Sequence, residues 1–545
     1  MLVADFLLER LEQLGLKHVF GVCGDYILPF FERLEKSKKL QMVNGTDEGN
    51  AAFTADAYAR ATGVGCVVAT YGVGALKTVN AVAGAFAERS PLIVISGAVG
   101  IKDRHADYVQ HHVVKGFDSQ RKVFEEYTCA AVVLDDPTTA GFRLDHALEM
   151  LRLKKQPIYI ELPLDIGERP IKYDHTSQGT PVAPENDEFN MQEAISEIVP
   201  WLAEAKQPVI LAGVQLARYG LEKPLMKFVE KTNIPVATTM LSKSTVNEKH
   251  RLFLGTYAGS AGTEFVQKYI ETSDCLLLFG EVLSDMTCGF KPPQFNRRQT
   301  VTASVEGLVV KNHAYKDVDF RQFCEQLFKA QVEVRQQPEI PARPEPAPWV
   351  PAKRRITTVR FFEKVNSILD DSTALVADPG DSLFGSVDIM SIHKPNTFFG
   401  PAFYNSMGFA IPGALGVQLA CPKLRPVVLV GDGAFQMSSC TELSTIARWK
   451  LNPIVFVLNN CGYTTERFIR DGAFNDIKDW QYERMTDVIG SGKGFKVTTE
   501  EELDRAVSEA LASKELTIIN VLVEPKDISP ALRRMTTGLA GCISS

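Results

Sequence analysis

The chain has 545 residues, an ordinary apolar share of 45% and a net charge of −7. Such a length predicts about three to four domains, and the acidic balance, with no basic block, argues against nucleic acid as a partner. Ten scattered cysteines without a CxxC pair exclude a zinc ribbon or dithiol motif and fit a reducing cytoplasmic setting, and no apolar run reaches membrane-spanning length.

Ala4 to Leu14 reads as an amphipathic helix with Asp5, Glu9, Arg10 and Glu12 on its polar side, unlike a signal peptide. A first α/β block, residues 1–170, follows, with strands predicted at His18–Val22, Cys66–Thr70, Leu92–Ser96 and Pro157–Glu161. The first strand ends in Gly21-Val22-Cys23-Gly24-Asp25, where Asp25 is placed to cap a helix. Glu48 opens a helix of small residues, Ala51 to Ala61, and its ordinary role is to complement the helix dipole. Gly72-Val73-Gly74 after a strand imitates a dinucleotide fingerprint, but Lys77 stands where the third glycine belongs. His111-His112 is the one adjacent histidine pair, and spacing suggests no third ligand that would make it a zinc site.

The second block, residues 186–335, has strands at Pro208–Gly213, Pro235–Thr238 and Cys275–Phe279. Ser242-Lys243-Ser244 lacks the glycines of a P-loop. Residues 336–352 are proline-rich and read as an extended linker over the surface. The third block, residues 353–545, places Asp378-Pro379-Gly380-Asp381 after the strand Ala374–Ala377. Val427–Val430 is a buried strand that stops at Gly431-Asp432-Gly433; Ala434–Trp449 then reads as one helix, and Ile454–Leu458 is a second strand that stops at Asn459-Asn460. A right-handed strand–helix–strand unit puts Asp432 and Asn460 on the same sheet edge, in strands about 4.8 Å apart if they are neighbours. A carboxylate, an amide oxygen and the Gly462 carbonyl suit a hard six-coordinate ion such as Mg2+, and the glycines admit a phosphate.

GDG, a spacer and then NN resembles the metal–diphosphate motif of thiamine diphosphate (ThDP) enzymes. Asp25, the histidine pair and Gly462-Tyr463-Thr464-Thr465-Glu466 resemble the subgroup that decarboxylates 2-oxo acids, such as pyruvate and indolepyruvate decarboxylases. The resemblance covers nearly the whole chain. It implies three doubly wound parallel-sheet α/β domains: pyrimidine-binding, middle and diphosphate-binding. ThDP and Mg2+ are the implied cofactors, with Asp432, Asn460 and Gly462 on the metal. Glu48 would meet the pyrimidine N1′, Met407 would wedge under the thiazolium, and the Asn405 carbonyl would accept from the 4′-amino group. Gly380, Asp381, Gly431, Gly433, Ala434 and Tyr463 complete the implied cofactor contacts. Asp25, His111, His112 and Glu466 would carry protons. The activity implied is conversion of a 2-oxo acid to an aldehyde and CO2 through an enamine, in a homodimer often paired into a homotetramer.

By position, Met286, Leu383, Phe384, Thr465, Ile469, Leu532 and Met535 would line the substrate pocket. Thr465 is smaller than the isoleucine common in pyruvate-preferring relatives, which points to larger aromatic or branched acids. Pro379 and Asp381 depart from the threonines often found in that turn, and the GDG-to-NN spacer is one residue longer than in typical pyruvate decarboxylases. The alternatives are pyruvate decarboxylase proper, a ThDP carboligase of the acetolactate synthase type, an NAD-dependent dehydrogenase built on Gly72-Val73-Gly74, and a non-catalytic scaffold.

Overall fold

The computed structural model describes residues 1–104, 107–173, 186–332, 340 and 349–544. Among these, the chain forms three sheets of six, seven and six strands. The amphipathic α1 (Val3–Gln13) leads into β1 (His18–Gly21) and β2 (Gln41–Asn44). Next comes α2 (Glu48–Thr62), whose N-cap Asp47 accepts from the Gly49 and Asn50 amides and which ends at a left-handed Gly63. The strands β3 (Gly65–Ala69), β4 (Leu92–Ala98), β5 (Ala130–Val133) and β6 (Ile158–Pro163) complete the first sheet. Its order is β2-β1-β3-β4-β6-β5, and every pairing is parallel. β3, β4 and β6 are buried at every residue, as strands covered on both faces must be.

The second sheet comprises β7 (Pro208–Ala212), β8 (Val236–Thr239), β9 (Phe253–Tyr257), β10 (Cys275–Phe279), β11 (Thr300–Ser304), β12 (Gly307–Val310) and β13 (His313–Tyr315). Alternate residues of β7 and β10 feed two separate cores. Ile210, Leu277 and Phe279 pack with α3 (Glu188–Glu204), α4 (Glu222–Thr232) and a later helix, Phe320–Lys329. Val209, Leu211, Leu276 and Leu278 pack with Glu264–Glu271 on the other face. Two-residue alternation is what a sheet sandwiched between helices imposes. The edge departs from an all-parallel sheet, because β11, β12 and β13 pair antiparallel. Lys243, in the Ser-Lys-Ser run, is a strut rather than a phosphate ligand. Its buried ammonium donates to both Glu248 oxygens (3.0 and 2.9 Å) and to the Met390 carbonyl (2.9 Å). Most of the proline-rich 336–352 stretch lies outside the described residues. Within it, Ile340 packs on the second sheet and the Trp349 indole donates to Asp504.

The third sheet contains β14 (Thr373–Ala377), β15 (Phe398–Phe399), β16 (Arg425–Gly431), β17 (Ile454–Asn459), β18 (Lys493–Val497) and β19 (Thr517–Leu522), all parallel in the order β15-β14-β16-β17-β19-β18. Helices that matter for the site are α5 (Asp381–Ile389), α6 (Ala410–Ala420), α7 (Asp432–Gln436), α8 (Leu443–Arg448), α9 (Thr464–Ile469) and α10 (Pro530–Ser544). The single helix expected over Ala434–Trp449 is broken. After α7 the backbone turns left-handed at Ser438 (φ 66°), runs through a 3-10 turn at Ser439–Glu442, and only then enters α8. The cause is non-local: the Asn50 amide donates to the Ser438 carbonyl (3.1 Å), and the Thr46 hydroxyl donates to buried Glu442 (2.8 Å).

Among the described residues the chain packs as two compact units. One gathers the first block with Ser406–Leu424 and Gln436–Asn452; the other gathers the second block with the remainder of the third.

Candidate active site

β16 and β17 are neighbours, with Gly431 opposite Leu458, so Asp432 and Asn460 leave adjacent strand ends together. Asp432 is 1% exposed. It accepts from the Gly433 amide (2.9 Å) and the Gly462 amide (3.0 Å). Burial pushes its carboxyl up to about 6, against the pull of the Gly462, Gly433 and Cys461 amides and of Arg467. The Asn460 side-chain oxygen is buried and accepts no hydrogen bond. A buried carboxylate beside a partnerless amide oxygen is the donor set a hard cation needs.

The two asparagines differ. Asn459 Nδ2 donates to Asp479 (2.9 Å) and Asn520 (3.2 Å), and its Oδ1 accepts from the Cys461 amide, so it braces the turn. Sequence reasoning missed Arg467, which donates to the Asn460 carbonyl (3.2 Å), the Cys461 carbonyl (2.7 Å) and Asp476 (2.8 Å). Gly462 holds φ +142°, and a Cβ there would stand 2.3 Å from the Asn475 carbonyl. At Gly433 a Cβ would meet the Tyr463 ring at 2.6 Å, whereas at Gly431 it would meet nothing within 4 Å. Ala434 is fully buried in α7.

At the end of β14, Gly380 is left-handed (φ +101°) and Thr465 Oγ1 lies 3.6 Å from where its Cβ would be. Asp381 directs both carboxylate oxygens to Ser529, accepting from its amide (2.9 Å) and its hydroxyl. Burial pushes Asp381 up to about 6 although the Ser529 donors pull it down. The turn before α5 is thereby tied to the start of α10. Leu383, Phe384, Leu532 and Met535 belong to one apolar core cluster, and Met286 packs against it. Thr465 and Ile469 are half-buried on α9, and Glu466 is exposed on the same helix. Of these residues, Phe384 and Met535 line a cavity of about 380 Å³, with Met240, Phe265 and Val387. Asn405 is left-handed (φ 55°) with its side-chain oxygen buried and unpartnered. Met407 is half-buried in the turn before α6.

In the other unit, the loop carrying His111 and His112 folds onto the end of β1. Asp25 hydrogen-bonds His111 Nε2 and accepts from the Thr70 hydroxyl (3.1 Å). Burial raises the Asp25 carboxyl, but His111, the Tyr26 amide and Thr70 outweigh it, and the net direction is down. Tyr26 stacks on His111 at 4.7 Å, with its hydroxyl 3.2 Å from Nδ1. His112 is left-handed (φ 66°), and its Nδ1 is buried without a partner. Gly72 serves this loop: a Cβ on it would stand 2.6 Å from the His112 carbonyl. The dinucleotide look-alike is thus a seat for the histidine pair. Glu48 lies 3.0 Å from Lys77, which also pairs with Asp47. Lys77, noted in the sequence only as a missing glycine, therefore meets the acid at the head of α2.

Three stretches of the chain match models of known families. Residues 1–121 match the N-terminal TPP binding domain of thiamine pyrophosphate enzymes, 195–327 the central domain and 378–521 the C-terminal TPP binding domain. Fold and sequence define a ThDP enzyme. The indole-3-pyruvate decarboxylase of Azospirillum brasilense is 31% identical over 552 residues, covering 99% of this chain and 98% of that protein. The alpha-keto-acid decarboxylase of Mycobacterium avium is 32% identical, with 97% and 95% covered. The fold also matches the Rhodococcus jostii RHA1 thiamine diphosphate-dependent 4-hydroxybenzoylformate decarboxylase, at 20% identity and a TM-score of 0.80, over 96% of this chain and 99% of that one. The chain belongs to the ThDP-dependent 2-oxo acid decarboxylase family and is a carboxy-lyase. Among the described residues, no helix is long and apolar enough to cross a membrane.

Proposed function

We propose that this decarboxylase prefers larger 2-oxo acids, aromatic or branched, such as phenylpyruvate, indolepyruvate or 4-methyl-2-oxopentanoate, and releases the aldehyde and CO2. One observation carries the preference: the residue beside the Gly380 turn is the small Thr465. The cavity of about 380 Å³ at Phe384 and Met535 supports it, being within the size range of small-molecule sites. A panel of 2-oxo acids tests the reading, and a highest kcat/KM for pyruvate refutes it. Pyruvate decarboxylase proper is the second reading, favoured by 32% identity to a Schizosaccharomyces pombe protein named a probable pyruvate decarboxylase.

Mg2+ is the proposed ion, held by Asp432, Asn460 and the Gly462 carbonyl. Gly431, Gly433, Ala434 and Tyr463 would surround the diphosphate, with Gly380, Asp381, Asn405 and Met407 at the rest of the coenzyme. ThDP, when bound, supplies the nucleophilic carbon and the electron sink. Glu48 would hold a proton at the pyrimidine N1′. Asp25, His111, His112 and Glu466 would move protons at the reacting carbon, and the Asp25–His111–Tyr26 contacts support a fixed relay. The apolar side chains of the pocket would exclude water from the carboxylate that is lost.

Residues 1–170, 186–335 and 353–545 would serve as the pyrimidine-binding, middle and diphosphate-binding domains. A homodimer is the proposed minimal active unit, paired into a homotetramer; a fully active monomer by light scattering would refute this. No disulfide joins the nine cysteines whose side chains are described, which supports a cytoplasmic setting.

A further inference from the structure

Asp25, His111 and His112 bring one donor atom each within 4.8 Å of one another, and among the described residues they are the one such group of three histidine, cysteine or acidic side chains. Neighbouring residues of an extended strand point to opposite sides; the left-handed His112 (φ 66°) departs from that conformation, and both rings pack on the same Tyr26, His111 at 4.7 Å and His112 at 5.8 Å between centroids. His112 Nδ1 is buried with no partner. Asp25 and His111 are both exposed, so an ion can reach them. The Tyr26 hydroxyl, 3.2 Å from His111 Nδ1, is the outer contact that fixes a ligating imidazole through its other nitrogen.

We propose that Asp25, His111 and His112 form a second metal site, selective for a borderline transition ion such as Zn2+. Two imidazole nitrogens and one carboxylate oxygen are the donor set of such ions, whereas the all-oxygen set at Asp432 and Asn460 suits a hard one. Zinc binds at about 2.0–2.2 Å from nitrogen or oxygen, so Asp25 and His111 would open from their present hydrogen bond to admit the ion while His112 closes on it. The ion takes the place of the hydrogen in the Asp25–His111 hydrogen bond, which leaves to solvent as a proton, and water fills the remaining position.

The test is calorimetry of ZnCl2 into the holoenzyme saturated with ThDP and Mg2+. The expected result is a single saturable Zn2+ per chain, weakened by more than about tenfold in Asp25→Asn and in His112→Ala. Both variants are first checked for native circular dichroism. His313→Ala, at an exposed histidine on β13, should bind as the parent does. Absence of saturable binding, parent-like affinity in Asp25→Asn or His112→Ala, loss in His313→Ala, or binding that excess Mg2+ abolishes would each overturn the site. Inhibition of turnover at matching zinc concentrations rests on the proton-carrier reading above. Binding without inhibition would leave the metal site standing and remove that reading instead.

Discussion

Asp381 offers a quantitative check on the turn that joins β14 to α5. Its buried carboxyl is raised from an ordinary 3.8 to about 6, chiefly by burial and despite two donors from Ser529. The folded chain therefore keeps this proton to higher pH than the unfolded chain does. Below about pH 4 both forms are protonated and Asp381 contributes nothing to the pH dependence. From there the penalty grows, and above about pH 6 it levels off at about 3 kcal/mol, an order-of-magnitude upper value. Asp381→Asn removes the penalty and keeps an oxygen for the Ser529 amide, with its new NH2 group facing a hydroxyl that can turn to accept. The variant should gain stability over the parent as pH rises, by about 1.5 kcal/mol between pH 5 and pH 8. Urea midpoints of protein stripped of ThDP and metal measure this free of ligand linkage; Asp432 titrates alike in both proteins and cancels. A difference that stays flat with pH, or one that favours the parent at pH 8, refutes the reasoning.

Asp432→Ala should abolish calorimetric loading of ThDP with Mg2+ and lower kcat/KM by more than about a hundredfold, since a charged ligand and its preorganised amides go together; undiminished turnover would dismiss the cradle. Thr465→Ile should move selectivity from phenylpyruvate toward pyruvate by about 1–3 kcal/mol in relative kcat/KM, the scale of a methylene in an apolar pocket; an unchanged ratio would take Thr465 out of the pocket. Lys243→Met leaves the Glu248 carboxylate, which is as buried as Lys243 itself, without its counter-charge, with the Ile392 amide still donating to it. It should cost about 3–5 kcal/mol and lower the thermal midpoint at fixed scan rate, with Lys243→Met/Glu248→Met regaining part of the loss; a single variant as stable as the parent counts against the strut.

Strand ends were legible in the chain because Val427–Val430 and Ile454–Leu458 are continuous apolar runs that halt at turn residues, so Asp432 and Asn460 could be placed on one edge before any coordinates. What local pattern could not reveal was set by distant partners. Ser438 breaks its helix because the amide of Asn50 draws off its carbonyl. Asp25 joins the histidine pair although 86 residues separate it from His111. Asn459 and Asn460 look equivalent in sequence, yet only the contacts with Asp479 and Asn520 separate a brace from a side chain with an unpartnered oxygen. The antiparallel rim of the second sheet was missed although Thr300–Glu306 alternates strictly between polar and apolar residues, the period of a half-buried strand.

The helix headed by Glu48 is fitted from far along the polypeptide. A Cβ on Gly416 would stand 2.2 Å from the Thr54 carbonyl, so α6 lies hard against α2. Recombining this gene with that of a relative at a single breakpoint near residue 183 would pair one parent's α2 with the other parent's α6. Viable shuffled hybrids should instead inherit Ser406–Leu424 and Gln436–Asn452 from the same parent as the amino-terminal third.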